Sequence, residues 1–240
     1  MRKTICLIIA VLLVFSCAAA CGEAQVRGYV NKQGWAFVQF GQYPYEADGT
    51  PAGVLWRVLK VEDGVAFMIT EKVIDFVLHH TEKDKDPEQP LAYADTLMRQ
   101  FCNETCVPAM FTEAERAALT EMEDGRGLLS CPTFEELTDT ATGYPSGKGK
   151  NQRRNAWGTP YAYAKGLKKL GSNNCSWYFT ATWRRLGFRW IVGDDGHISV
   201  VGADREGGLR PVIYVDLNKV DSLGGEGSRE EPYVWQAAQL

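Results

Sequence analysis

Apolar positions along the chain change their spacing several times, and each change marks an element. Ile5 to Phe15 is apolar almost without a break, behind Arg2 and Lys3 and ahead of the small-residue stretch Ser16 to Ala20, interrupted by Cys17. This three-part layout predicts an export signal over residues 1–20, and the apolar run is shorter than the roughly 20 residues of a spanning helix. Residues 21–34 read as a polar tether. Trp35 to Phe40 then alternates, which predicts a strand with Trp35, Phe37 and Gln39 on one side, and Val54 to Val61 predicts a second with Trp56 and Val58 on one face. Glu62-Asp63-Gly64 is a tight hairpin signal before a third strand, Val65 to Thr70. The domain therefore opens as an antiparallel meander.

The middle of the chain switches to helical spacing. Thr81 to Pro90 is a charged, proline-containing loop, after which Ala92 to Cys106 carries Leu97 and Phe101 on an apolar side. Pro108 predicts a helix end near Cys106. Two capping-box signatures follow, Thr112 with Glu115 and Thr133 with Glu136, each predicting a helix start. Leu128 to Ser130 reads as a short strand. Thr142 to Asn155 is rich in Gly, Ser and Lys, with a basic cluster at Lys148, Lys150, Arg153 and Arg154; its turn composition predicts a mobile surface loop. Thr159-Pro160 opens a helix expected to run to Leu170 and stop at Gly171.

Strand spacing returns at Ser176 to Trp183, Phe188 to Val192, Ile198 to Val201 and Leu209 to Leu217, with Asp194-Asp195-Gly196 as a hairpin turn. The order of strands, helices and strands predicts an α+β fold: antiparallel strands at both ends of one domain, residues 35–220, and three to four short helices between. Residues 221–240 read as a Gly-rich C-terminal tail.

Charge and cysteine content narrow the setting. Removing Arg2 and Lys3 with the signal takes the formal net charge from −4 to −6, which gives no basic footprint for nucleic acid. Cys6 and Cys17 fall within the signal. Ala18-Ala19-Ala20 ahead of Cys21 suits lipoprotein processing with acylation of Cys21; Cys17 is a second candidate, and an ordinary cut after Ala20 or Ala24 an alternative. The chain is thus expected on the outer face of the cytoplasmic membrane through a lipid anchor, or secreted. Four cysteines remain, Cys102, Cys106, Cys131 and Cys175. An even number in an exported chain favours bridges, with Cys102–Cys106 and Cys131–Cys175 as the expected pairing; zinc binding and free buried thiols are the alternatives.

Motifs that would carry chemistry are sparse. Gly143, Gly147 and Gly149 lack the strand and the Lys-Ser/Thr of a phosphate loop, no serine sits in a nucleophile elbow, and no histidine pair has metalloprotease spacing. No catalytic residue, metal or cofactor is nominated. His197 lies in a hairpin turn, where a partner for a cysteine nucleophile would have to be supplied by the fold. What does stand out is a run of aromatics and arginines, Trp177 to Arg185 and then Phe188-Arg189-Trp190. Strand alternation turns one set outward, and rigid aromatic area beside bidentate donors concentrates binding energy. Tyr178, Thr180, Thr182, Trp183, Arg184, Arg185 and Trp190 are the candidate ligand-binding residues, against a reading in which most of these rings are core.

Phe40-Gly41-x-Tyr43-Pro44, Trp56-Arg57-Val58-Leu59 and Ile69-Thr70-Glu71-Lys72-Val73 resemble the opening of an uncharacterised family of exported bacterial proteins. Leu97 to Phe101, Ala109 to Glu115, Leu128-Leu129-Ser130, Thr159-Pro160-Tyr161-Ala162 and Gly208-Leu209-Arg210-Pro211-Val212 continue the likeness, from about Phe37 to Leu217. Its closing strand is similar to that of C-type-lectin-like folds, a group that includes sulfatase-modifying enzymes. That similarity implies paired first and last strands, helices alongside, and a loop-rich binding face. One departure is Tyr178-Phe179-Thr180-Ala181-Thr182, where relatives often read Trp-Leu-Arg-Ser-Pro. The resulting functional expectation is a non-catalytic cell-envelope module that binds a glycan or an envelope protein. The alternatives are a cysteine-dependent enzyme of the lectin-like fold and a structural envelope lipoprotein.

Overall fold

A computed structural model describes residues 34–81, 92–185 and 187–238. The signal over residues 1–20, the tether up to residue 33 with Cys21, and the charged loop over residues 82–90 lie outside the described residues. The fold is α+β and mostly strand. Twelve described strands build two sheets, ordered β11-β12-β1-β2-β3-β10-β5 and β4-β9-β6-β7-β8. The strands are β1 Ala36–Pro44, β2 Pro51–Glu62, β3 Val65–Thr70, β4 Asp75–Leu78, β5 Leu119–Thr120, β6 Tyr178–Arg185, β7 Phe188–Val192, β8 Ile198–Gly202, β9 Glu206–Leu209, β10 Val212–Asp216, β11 Val220–Gly224 and β12 Tyr233–Ala237.

The opening meander forms, but β1 buries the face opposite to the expected one: Ala36, Val38 and Phe40 are buried, Gln39 is exposed, and Trp35 and Phe37 are half-buried under the Arg57 guanidinium. Asp63 and Gly64 both have positive φ, at 50° and 76°, the twist-matched two-residue turn that joins β2 to β3. β10 closes on β3 from Val212 opposite Ile69 to Asp216 opposite Val65. Two pairings are parallel, β1 with β12 and β6 with β9, so both sheets are mixed.

The Gly-rich segment is not a tail. β12 lies between β11 and β1, and its Tyr233 and Trp235 are buried in the main core. Gly225, at a φ of 95°, is what lets the chain turn there: a Cβ on it would lie 2.0 Å from the Pro232 carbonyl oxygen.

Helices are short. Leu97–Gln100 (α1), a π-helical turn Phe101–Cys106 and Val107–Met110 (α2) run without a break. Pro108 therefore does not end the helix. It has no N–H to donate and its ring crowds the carbonyl four residues back, and the turn ahead of it is wound at the wider i→i+5 spacing. At Thr112 both bonds of the capping box form and open Glu113–Ala117 (α3). At Thr133 the same two bonds form, Glu136 N–H to the Thr133 hydroxyl at 3.0 Å and Thr133 N–H to the Glu136 carboxylate at 2.7 Å, yet only a turn follows. Pro160–Ala164 (α4) stops at Gly166, whose φ is 119°, and not at Gly171.

The expected disulfides are not formed: Cys102, Cys106, Cys131 and Cys175 are free, buried thiols. Cys102 and Cys106 leave the π turn toward different partners. The Tyr93 hydroxyl lies 3.9 Å from Cys102 Sγ, and the Tyr43 hydroxyl 3.4 Å from Cys106 Sγ. Cys131 shares their core cluster, whereas Cys175 lies outside that cluster, its N–H held by the Asn173 side chain.

Candidate functional site

Arg154 organises the region beside the β7–β8 turn. It is wholly buried, and its guanidinium donates to five carbonyls: Leu137 at 2.9 Å, Gly149 at 3.0 Å, Gly196 at 3.3 Å, Pro145 at 2.6 Å and Gly147 at 2.7 Å. Its own carbonyl accepts from the Tyr178 hydroxyl at 2.9 Å and from Arg210 at 3.1 Å. A segment expected to be mobile is thus wound around a fixed cation, because five carbonyls together replace the water the guanidinium loses. Arg210, buried likewise, ties the start of β10 to the Thr70 carbonyl at 2.9 Å.

With the segment fixed, Arg153 points outward. Its guanidinium sits 5.4 Å from the Trp35 ring centroid, and Arg57 sits 4.2 Å from the same ring. The Trp35 indole N–H donates to the Thr142 carbonyl at 2.8 Å. Gly143 leaves room for that ring: a Cβ there would fall 2.7 Å from Trp35 Nε1. Beneath them Glu71, buried, bridges Arg57, at 2.5 Å, and Arg229, which reaches over from the stretch before β12.

The opposite wall is polar and aromatic. Trp157 is 43% exposed, its N–H held by the Asn173 carbonyl at 3.0 Å. Asn173 in turn donates to the Asp194 carbonyl at 2.9 Å. Asp195 pairs with His197 and, at 2.9 Å, with Lys150. The hydrogen bond from His197, joined by Lys150, holds the Asp195 carboxyl well below the usual carboxylate range. Trp35, Arg57, Arg153, Trp157, Asp195 and Arg229 line a cleft of about 770 Å³, with Lys150, Asn151, Gln152, Asn155 and Asn173 along it. Arg153 has no carboxylate partner among the described residues. Arg153 Nη1 donates to the Gly143 carbonyl at 2.7 Å, which fixes the group, so the cleft offers its remaining N–H donors to an anion, the exposed Trp157 indole, and amides that both donate and accept.

The candidate residues read from the sequence divide into two sets. Tyr178 and Thr180 face inward, Thr180 donating to the Trp190 carbonyl at 2.8 Å, so both support the structure from behind. Thr182 caps the turn at Phe134, whose N–H it accepts at 2.8 Å, and donates to Glu135 at 3.2 Å. Trp183, Arg184 and Arg185 are exposed. Trp190 is partly covered, stacked on Phe134 at 5.3 Å. None of these seven lines the cleft. Sequence reading noted Arg153 within a basic cluster but missed Trp35, Arg57, Trp157 and Arg229, which come from four distant segments and form no motif.

The thiols are not set up as nucleophiles. Burial raises all four, Cys106 and Cys131 to about 12, and His197 is engaged by Asp195. Among the described residues, no helix is long and apolar enough to cross a membrane, and no group of three or more His, Cys, Asp and Glu side chains is placed to hold a metal ion. No family model, no curated protein and no solved structure matches this chain.

Proposed function

We propose that this protein is a binding module for an anionic glycan, with the cleft between Trp35, Arg153 and Trp157 as its site. The observation that carries the reading is Arg153, a fixed guanidinium without an acidic partner, set beside two indoles in a cleft of small-ligand size. A guanidinium takes a carboxylate bidentately, indole faces cover the apolar faces of sugar rings, and amides orient hydroxyls. In the same proposal the chain is exported and anchored through acylated Cys21, for which residues 1–20 are the support. A lectin-like ancestry is part of it too, supported by β1 lying beside β12 in the main sheet.

Calorimetric titration with a galacturonate trimer, and with the neutral galactose trimer as control, tests the site. The acidic sugar is expected to bind, more weakly as salt is raised, and the neutral one not to. Arg153→Ala is expected to lower affinity at least tenfold with an unchanged melting temperature, since Arg153 is exposed. Binding of both trimers alike, or of neither, defeats the proposal.

A further inference from the structure

We infer that the ligand is a polymer, which leaves the cleft along residues 148–153 and crosses a second basic surface at Trp190. This rests on the cleft reading above. Lys148 lies 4.2 Å from the Trp190 ring centroid and Arg184 lies 5.0 Å from the same ring. Both cations are exposed, and neither has a carboxylate partner among the described residues. Neither cation at this indole is neutralised by a carboxylate, and a polyanion laid across them supplies the counter-charge. Phe134 stacks on Trp190 at 5.3 Å and holds that ring in place, with Lys148 5.5 Å from the Phe134 centroid.

What joins the two surfaces is one rigid stretch of chain. The carbonyl of Lys148 accepts from Ile198 N–H at 2.9 Å, and Asn151 N–H donates to the Asp195 carbonyl at 3.2 Å, so residues 148–151 are laid along the β7–β8 turn. Arg154 then locks the end of the stretch through its five carbonyls. Four residues separate Lys148 from Arg153, so their Cα atoms are at most about 17 Å apart. Cations carried on one fixed stretch of chain match a ligand with a charge on successive units, not one small anion. The outward Trp183 to Arg185 end of β6 continues the basic surface beyond Arg184.

A length series of oligogalacturonates separates this inference from the cleft itself. Affinity of the unmodified protein is expected to rise at least tenfold from trimer to decamer. The double variant Lys148→Ala/Arg184→Ala, at exposed positions, is expected to bind the trimer as before and to lose the gain for the decamer. Equal affinity for trimer and decamer overturns the polymer, while trimer binding alone leaves the cleft standing. Equal loss of both lengths in the double variant also overturns it. A single-stranded oligonucleotide of the same charge, binding as tightly as the decamer, overturns the glycan class. Failure of the trimer and the decamer alike overturns cleft and polymer together.

Discussion

His79 is buried between Phe179 and Tyr93, with ring centroids 4.8 and 6.1 Å away, and neither ring nitrogen has a hydrogen-bond partner. Burial first, then the nearby Arg189 and His80, depress its pKa to about 3. The folded value thus lies below the unfolded value of about 6.5, so the unfolded chain binds the proton more readily. Stability from the neutral ring is complete above pH 6.5 and falls as the pH drops toward 3. Between pH 7 and pH 5 the loss is on the order of 2 kcal/mol. Urea midpoints at those two pH values check this: His79→Leu should flatten the difference, and an equal pH dependence in both proteins would show that another group carries it. Nothing in the sequence distinguishes His79 from His80, because the difference lies in which rings of β6 and of the Tyr93 turn close over it.

At the level of elements, identical local signals gave different outcomes. The capping box at Thr112 starts a helix, whereas at Thr133 it closes a turn. There the Thr138 hydroxyl takes the Phe134 carbonyl at 3.0 Å, and Glu136 also engages Arg126 at 2.6 Å. These competing partners come from side chains and from another segment, so spacing alone could not reveal them. The strands β1 and β2 were legible from alternation, and β3, β7 and β8 from short apolar runs beside turn signals. The cleft was not, since the carbonyls that hold Arg154 come from either side of it, as far away as Leu137 and Gly196. Arg154→Met leaves those carbonyls without their shared donor and is expected to cost about 3 kcal/mol. Hydrogen exchange of amides 146–152 should then speed up together. Unchanged protection there would mean that the segment is held by its backbone bonds to Asp195 and Ile198 instead.

For the whole molecule, the end of the chain completes what the beginning starts. Sequence composition hid this, because Gly, Ser and Glu between residues 224 and 231 resemble a solvated tail, while the two rings that bury, Tyr233 and Trp235, sit in a strand only five residues long. That strand fills the gap between β11 and β1, and the stretch before it delivers Arg229 onto Glu71 at the base of the cleft. Stability and site are therefore coupled through one segment. Trp235→Ala removes a buried ring and should lower stability by about 3–5 kcal/mol, a fall in melting temperature on the order of 10 °C for a domain this size. Arg229 is half exposed, so Arg229→Ala should shift melting little while weakening the galacturonate trimer, because Arg57 alone is left to neutralise Glu71. Ending the chain after Gly224 removes both contributions, exposing the β1 edge and leaving the cleft without one wall. Thermal melting and trimer titration of these three variants check the coupling. A shortened chain that melts and binds like the intact one would show that the sheet closes at β1 without β12.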